Sequence, residues 1–518
     1  MAYLFEDDKS WDFETIDRTY KAIEDIALND LGLNVYPNQI EIITSEQMLD
    51  SYSSIGMPVM YNHWSFGKHF SRDENLYRKG MQGLAYEIVI NSNPCISYCM
   101  EGNSMTMQAL VIAHAAFGHN HFFKNNYLFQ QWTDAEGIHD YMIFAKDYIK
   151  KCEEHYGFDQ VEEILDSAHA LMSHGVDRYR RPAKLSLQAE KDRLKEISDY
   201  EDRTYNDLWN TVPKKSASNT SLYRDRINSQ HDETQGLRGR AKLPEENILY
   251  FLEKNSPVLK PWQKEILRIV RKIAQYFYPQ KQTKVMNEGF ATFCHYYIMN
   301  EMWERGQISD GSKLEFIMNH TNVIAQPPYD SKYYSGFNPY ALGFAMMQDI
   351  KRICENPTAE DKQWFDWAGG DWRKVLLEAA QDYRDDGFIH QFLSPKVMRD
   401  LRLFMIKDEE DEDEYVVTGI HNDRGYKNIR RALAKEYEIG RHEPDIQIIE
   451  ANLSGDRTLV LEHRITDKIM LDYKSIKSIL PHICHLWGYD VQIDSKSNGH
   501  NGTVTEHSYH SRDDEDDD

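Results

Sequence analysis

The chain has 518 residues, 41% of them hydrophobic, with 84 acidic against 60 basic side chains and a formal charge of −24. That length and apolar content suit more than one ordinary domain around a large core. The acidic balance excludes broad electrostatic binding to nucleic acid or to an anionic membrane, because either needs a concentrated basic face. Two runs, DEEDEDE at 408–414 and DDEDDD at 513–518, carry 13 of the negative charges and read as a solvated linker and tail. The N-terminus MAYLFEDDKSWDF has early acids and no apolar run, so it does not read as a signal peptide. No stretch of about 18 apolar residues offers a membrane span, so no membrane insertion is expected. Six cysteines, at 95, 99, 152, 294, 354 and 484, form no CxxC pair, which suits a reduced, cytoplasmic protein.

In chain order, residues 11–30 show helical spacing of apolar positions and QIEIIT at 39–44 alternates like a strand. Thr44 with Gln47 has the pattern of a capped helix start. LAYEIVIN at 84–91 and PCISYCME at 94–101 read as two strands joined by a turn at Ser92, Asn93 and Pro94. A helix is expected from about Ser104, because Met107, Leu110, Val111, His114 and Gly118 share one side. Further helical patterns cover about 135–155, 159–174, 184–202, 245–254 and 261–279, the last opening on Pro261. Residues 211–244 are polar, rich in Ser, Asn and Gly, and without periodicity, and are expected to form a long loop.

Beyond about Asp408 the pattern changes. Strands at 415–420, 445–453, 458–465 and 490–494 and helices at 424–438 and 472–487 give the order β-α-β-β-α-β, which is ferredoxin-like. The expected division is a mainly helical core over 1–407, an acidic linker at 408–414, a small α+β domain over 415–495 and a disordered tail over 496–518.

Two histidine-bearing segments carry the chemistry, HAAFGHNHFF at 114–123 and NEGFATFCH at 287–295. A metal site on helices needs imidazole or carboxylate groups converging from two elements. Glu288 and His295 stand about two turns apart on one stripe of a helix, and Gly289 and Ala291 favour close approach of a neighbour. His114 and His119 are five residues apart, about 140° around an ideal α-helix, so they share a target only if the helix ends or widens near Gly118. The alternative is that these are core histidines satisfied by hydrogen bonds. His169 and His174, with Arg178, Arg180 and Arg181, offer an anion site or ion pairs, with ion pairs favoured. Tyr333, Tyr334 and Tyr340 either line a cleft or pack.

The strings YNHWSFGK at 61–68, INSNPCISYCMEGN at 90–103, AHAAFGHNHFFKNN at 113–126, HGVDRYRRP at 174–182, RKIAQYFYPQKQTKVMNEGFATFCHYY at 271–297, NPYALGFAMMQDI at 338–350 and HQFLSP at 390–395 resemble the SpoVR (stage V sporulation protein R) family over essentially all of residues 1–495. That resemblance implies a sporulation or stress-response pathway shared with a serine protein kinase of the AAA-plus type and a von Willebrand A-like protein. A more distant similarity is to zincin peptidases, which place an edge strand before the helix bearing two zinc histidines and bring a Glu from a later helix. By that similarity His114, His119 and Glu288 bind zinc, and His295 is a fourth ligand or a partner of the ligands. Zincins carry their general-base Glu directly after the first histidine; this chain has Ala115, which leaves Glu101, just before the helix, as the candidate base.

The expected fold is α+β and predominantly helical, with a zincin-like metallopeptidase-type core and a ferredoxin-like C-terminal domain. The preferred activity is zinc-dependent hydrolysis of an amide or peptide-like substrate, such as a cell-wall precursor. The alternatives are a non-catalytic regulator or scaffold working with the kinase, and an iron-dependent oxidoreductase, since Glu and His on helices also suit iron.

Overall fold

A computed structural model describes residues 3–5, 11–53, 60–65, 68, 87–178, 192, 195, 243–328, 331–332, 334, 336–407, 416–438, 443–452, 455–465, 470–497 and 503–511. Most of the expected loop at 211–244, the acidic linker at 408–414, most of 184–202, residues 512–518, Tyr333, Arg180 and Arg181 lie outside the described residues. The chain divides into two units, residues 1–143 with 277–441 and residues 144–276 with 442–518. The fold is α+β and mostly helical.

In the first unit a three-stranded sheet has the order β1-β3-β2, with β1 Asn38–Ile43, β2 Glu87–Ile90 and β3 Cys95–Met100. β3 is central, parallel to β1 and antiparallel to β2. Its buried Cys95, Ile96, Ser97 and Cys99 fit a strand covered on both faces. Thr44 and Gln47 reciprocate across the start of the helix Ser45–Ser53: the Gln47 side chain accepts from Thr44 N–H and the Thr44 hydroxyl from Gln47 N–H. After β3, the Ser104 hydroxyl accepts from Met107 N–H (3.1 Å) and starts the helix Met105–Ile112, all eight residues of which are buried. A helix apolar on every side belongs inside a core.

The helix Lys284–Glu304 runs through the same core, with 13 buried residues. Thr283 gives its N-terminus no side-chain cap. Asp385 does so instead, from far along the chain, its two carboxyl oxygens accepting the N–H groups of Val285 and Met286 at 2.9 Å each. The helix Pro339–Glu355 lies against it so closely that a Cβ on Gly289 would stand 2.4 Å from Gly343 Cα. Only glycine permits that approach of two backbones.

The C-terminal expectation needs two corrections. Strand β5 (Val416–Gly419) pairs antiparallel with β4 (Met405–Lys407) in its own two-stranded sheet, and both belong to the first unit together with the helix Asp423–Glu436. The second unit instead has a four-stranded sheet of order β6-β7-β8-β9, with β6 Asp445–Ala451, β7 Leu459–Ile465, β8 Val491–Ser497 and β9 Thr503–Tyr509. The ferredoxin-like arrangement is therefore not formed, because its first strand and helix pair elsewhere. Residues 503–509, expected within a disordered tail, are an antiparallel partner of β8. β6 pairs antiparallel with β7, and the helix Tyr473–Trp487 is the crossover between the parallel strands β7 and β8. Trp487 is fully buried, and its indole N–H donates to Arg457 O at 2.7 Å.

All six cysteines are buried, and none is in a disulfide. Among the described residues no helix is long and apolar enough to cross a membrane. Arg178 pairs with Glu246 and lies 3.4 Å from Asp445, the ion-pair alternative of the sequence reading.

Candidate metal centre

The segment Ala113–His119 is a π-helix inserted between the helices Met105–Ile112 and Asn120–Asn125. In a π-turn the hydrogen bond runs from residue i to i+5, so side chains five apart stand over one another. The helix thus widens without breaking, and the His114 and His119 rings meet edge-on with centroids 4.6 Å apart. Gly118 has a different use from the expected break: a Cβ there would lie 2.6 Å from Ala291 Cα, so it lets the π-turn press on the helix carrying Glu288.

Glu288 Oε2 lies 3.7 Å from His114 Nε2 and 3.5 Å from His119 Nε2. One donor atom from each of the three side chains lies within 4.8 Å of the other two. These separations are too long for hydrogen bonds. They fit a shared ion, since tetrahedral zinc with bonds of about 2.0–2.1 Å holds its donors about 3.4 Å apart. Glu288 Oε2 is buried and has no hydrogen-bond partner, an arrangement that costs energy unless a cation completes it. The residues present therefore fit a divalent metal.

The surrounding groups leave both Nε2 atoms available. His119 Nδ1–H donates to Asn287 Oδ1 at 3.0 Å, which directs the Nε2 lone pair towards Glu288. His114 Nδ1 lies 3.0 Å from His295 Nδ1, and His295 Nε2 lies 2.9 Å from His320 Nδ1. If His114 Nδ1–H donates, His295 accepts and passes its own Nε2–H to His320, and His114 Nε2 stays unprotonated. His295 thus has both nitrogens engaged by other imidazoles and lies outside the three-residue donor group. It stands as a hydrogen-bond partner of His114, one of that group. Asn287→Ala and His295→Gln are expected to weaken zinc binding about 10- to 100-fold while leaving the stoichiometry at saturation unchanged, as read by chelator competition.

Charge follows the same geometry. Burial alone would lower His114, but the carboxylates of Glu288 and Glu87 outweigh it and raise its pKa. Burial likewise favours a neutral Glu288, yet His119 and His114 hold its pKa below the ordinary value. Burial lowers His119 and His320 to about 4 and takes His295 well below 6.5. The Tyr340 ring stacks on His114 with centroids 6.4 Å apart.

Glu101 is not part of this group. It is exposed in the turn after β3, where its N–H donates to Ile43 O and its carbonyl accepts from the Trp11 indole. The acid beside the group is instead Glu87, on the edge strand β2, with Oε1 3.8 Å from His114 Nε2. Burial raises the Glu87 pKa, with His114 opposing and Glu288 adding to the rise. Glu87 and Glu288 keep 20% and 19% side-chain exposure, so the cluster opens to solvent on its carboxylate side. The sequence signal for Glu87 was a lone acid within the apolar strand LAYEIVIN. The zincin similarity departs here as well, since the strand directly before the histidine helix is the central one of its sheet.

No solved structure matches the chain. It is 54% identical over 492 residues to "Uncharacterized protein YcgB" of Escherichia coli (strain K12), covering 95% of this chain and 94% of that protein. The family model described as SpoVR like protein matches residues 10–442, and the one described as SpoVR-like C-terminal domain matches residues 444–498. These matches extend over nearly the whole chain, and it belongs to the SpoVR family.

Proposed function

We propose that this SpoVR-family chain is a metal-dependent hydrolase of amide or peptide-like substrates, with His114, His119 and Glu288 holding zinc. The observation that carries the reading is the buried, unpartnered Glu288 Oε2 between two imidazole Nε2 atoms. A zinc ion held there supplies Lewis acidity, polarising a carbonyl and bringing the pKa of a water down to about 7. Glu87 takes the role of general base that Ala115 leaves open. Its raised pKa suits a group that accepts a proton from the attacking water and returns it to a leaving amine. Asn287 holds His119 in place, and the chain through His295 to His320, with the stacked Tyr340 ring, fixes the ring of His114.

The same two imidazoles and one carboxylate form the donor set of non-haem iron sites, which makes iron chemistry the second reading. The test is amine release from a panel of short peptides, including ones with D-amino acids, by protein loaded separately with zinc and with iron. The zinc form is expected to be active, and Glu87→Gln to retain zinc and lose activity about 100-fold or more. Zinc-loaded protein that hydrolyses nothing in the panel, or a Glu87→Gln variant as active as the parent, would contradict the proposal.

A further inference from the structure

Away from the histidine cluster, the helices Ala359–Trp364, Asp385–Phe392 and Asp423–Glu436 of the first unit line an open cavity of about 390 Å³. Its lining includes Lys427, Arg430 and Arg431, with His390 and Trp364 and a single acid, Asp423. Lys427 and Arg431 are four residues apart on one face of their helix. Both are exposed, and among the described residues neither has an ion-pair partner. Arg430 is fixed in place: it lies 4.7 Å over the Trp364 ring and 5.5 Å from the Phe365 ring, and donates to Leu393 O from Nε at 2.9 Å and from a terminal nitrogen. A guanidinium stacked and tethered in this way gives up little freedom on meeting an anion.

Three cations facing one carboxylate is an unusual local balance in a chain of net charge −24. The surrounding field repels anions, so a basic hollow is selective for a ligand that fits it. The volume lies in the range of small-molecule sites and is too small for a macromolecular surface.

We infer that this cavity binds a small phosphate-bearing molecule, its dianionic phosphate held by Lys427, Arg430 and Arg431 and the remainder of the molecule lying against Trp364. Two cations beyond the charge of Asp423 match a phosphate dianion, and the guanidinium fork matches its oxygens.

The test is calorimetric titration of the full-length protein at low salt with inorganic phosphate and, separately, with adenosine monophosphate. Inorganic phosphate is expected to bind weakly and the nucleotide about tenfold or more tighter, because only the nucleotide fills the volume beside Trp364. The double substitution Lys427→Ala with Arg431→Ala removes two exposed side chains and is expected to keep the parent's unfolding temperature while losing at least about tenfold in affinity. Raising the salt is expected to weaken binding to the parent. No detectable binding of either probe to the parent, or equal binding to parent and double variant, would overturn the inference. Because the cavity is separate from the histidine cluster, zinc content is expected to be unchanged in the double variant.

Discussion

Gly343→Ala is expected to lose about 4 kcal/mol or more of stability, seen as a fall in unfolding temperature of about 10 °C or as failure to accumulate soluble protein. The new methyl group would stand 2.1 Å from Val285 O and 2.7 Å from Gly289 Cα. Both are backbone atoms of the Lys284–Glu304 helix, so no side chain can rotate out of the way. The two helices must separate, and the packing of the buried Met346, Met347 and Ile350 separates with them. The metal centre moves too, because Glu288 precedes Gly289 and Tyr340 lies one turn before Gly343. Gly102→Ala is the matched control, since a Cβ there meets nothing within 4 Å. A Gly343→Ala protein that melts with the parent would show that the helices do not touch as described.

Acid is expected to destabilise the metal-free protein well above the ordinary carboxylate range. His119, His121 and His320 are buried and held at about 4 by loss of solvation, against 6.5 when unfolded. Between those values the unfolded chain takes up protons that the folded chain refuses, so stability falls as pH drops from 6.5 towards 4. Each group contributes roughly 3 kcal/mol across that window. Together they approach the whole stability of an ordinary domain, about 5–15 kcal/mol. His114 acts in the opposite sense. Its raised pKa gives stability that is complete below 6.5 and fades as pH rises through the folded value, so it leaves the decline between 6.5 and 4 untouched. Buried Asp385, raised to about 7, instead gains stability across that window and offsets about one of the three. Urea midpoints of metal-free protein, measured from pH 7 to 4.5, are expected to decline steeply. A flat profile to pH 5 would contradict the burial of these neutral rings.

Much of this arrangement was legible in the sequence, and what was missed shares a physical cause. Thr44 with Gln47 announced its helix because capping is local, and the helix after Ser104 announced itself by the spacing of Met107, Leu110 and Val111. Glu288, His114 and His119 were named from a resemblance, and the obstacle to uniting them was an angle computed for an α-helix. The π-turn that removes it depends on Gly118 meeting Ala291, a contact between segments far apart in sequence. Glu87 was passed over for a similar reason: a strand's pattern does not say which distant histidine its one acid faces.

Strand partners were equally hidden. Val416–Gly419 was recognisable as a strand, yet its pairing with Met405–Lys407 rather than with the later strands is a tertiary choice. The polar TVTEHSY at 503–509 looked like tail because it carries little apolar surface, and it becomes a strand by adding to the edge that β8 offers. Asp385, which caps the Glu288 helix, lies about 100 residues from it in sequence, beyond any capping pattern.

The central claim is that His114, His119 and Glu288 hold one divalent ion. Elemental analysis of the full-length protein, purified without an affinity tag, incubated with zinc and desalted, tests it most directly. About one equivalent of zinc per chain is expected for the parent, falling to about a tenth or less in His119→Ala and Glu288→Ala at unchanged helix content by circular dichroism. A parent that leaves the desalting column free of metal, or variants that carry as much zinc as the parent, would contradict the account.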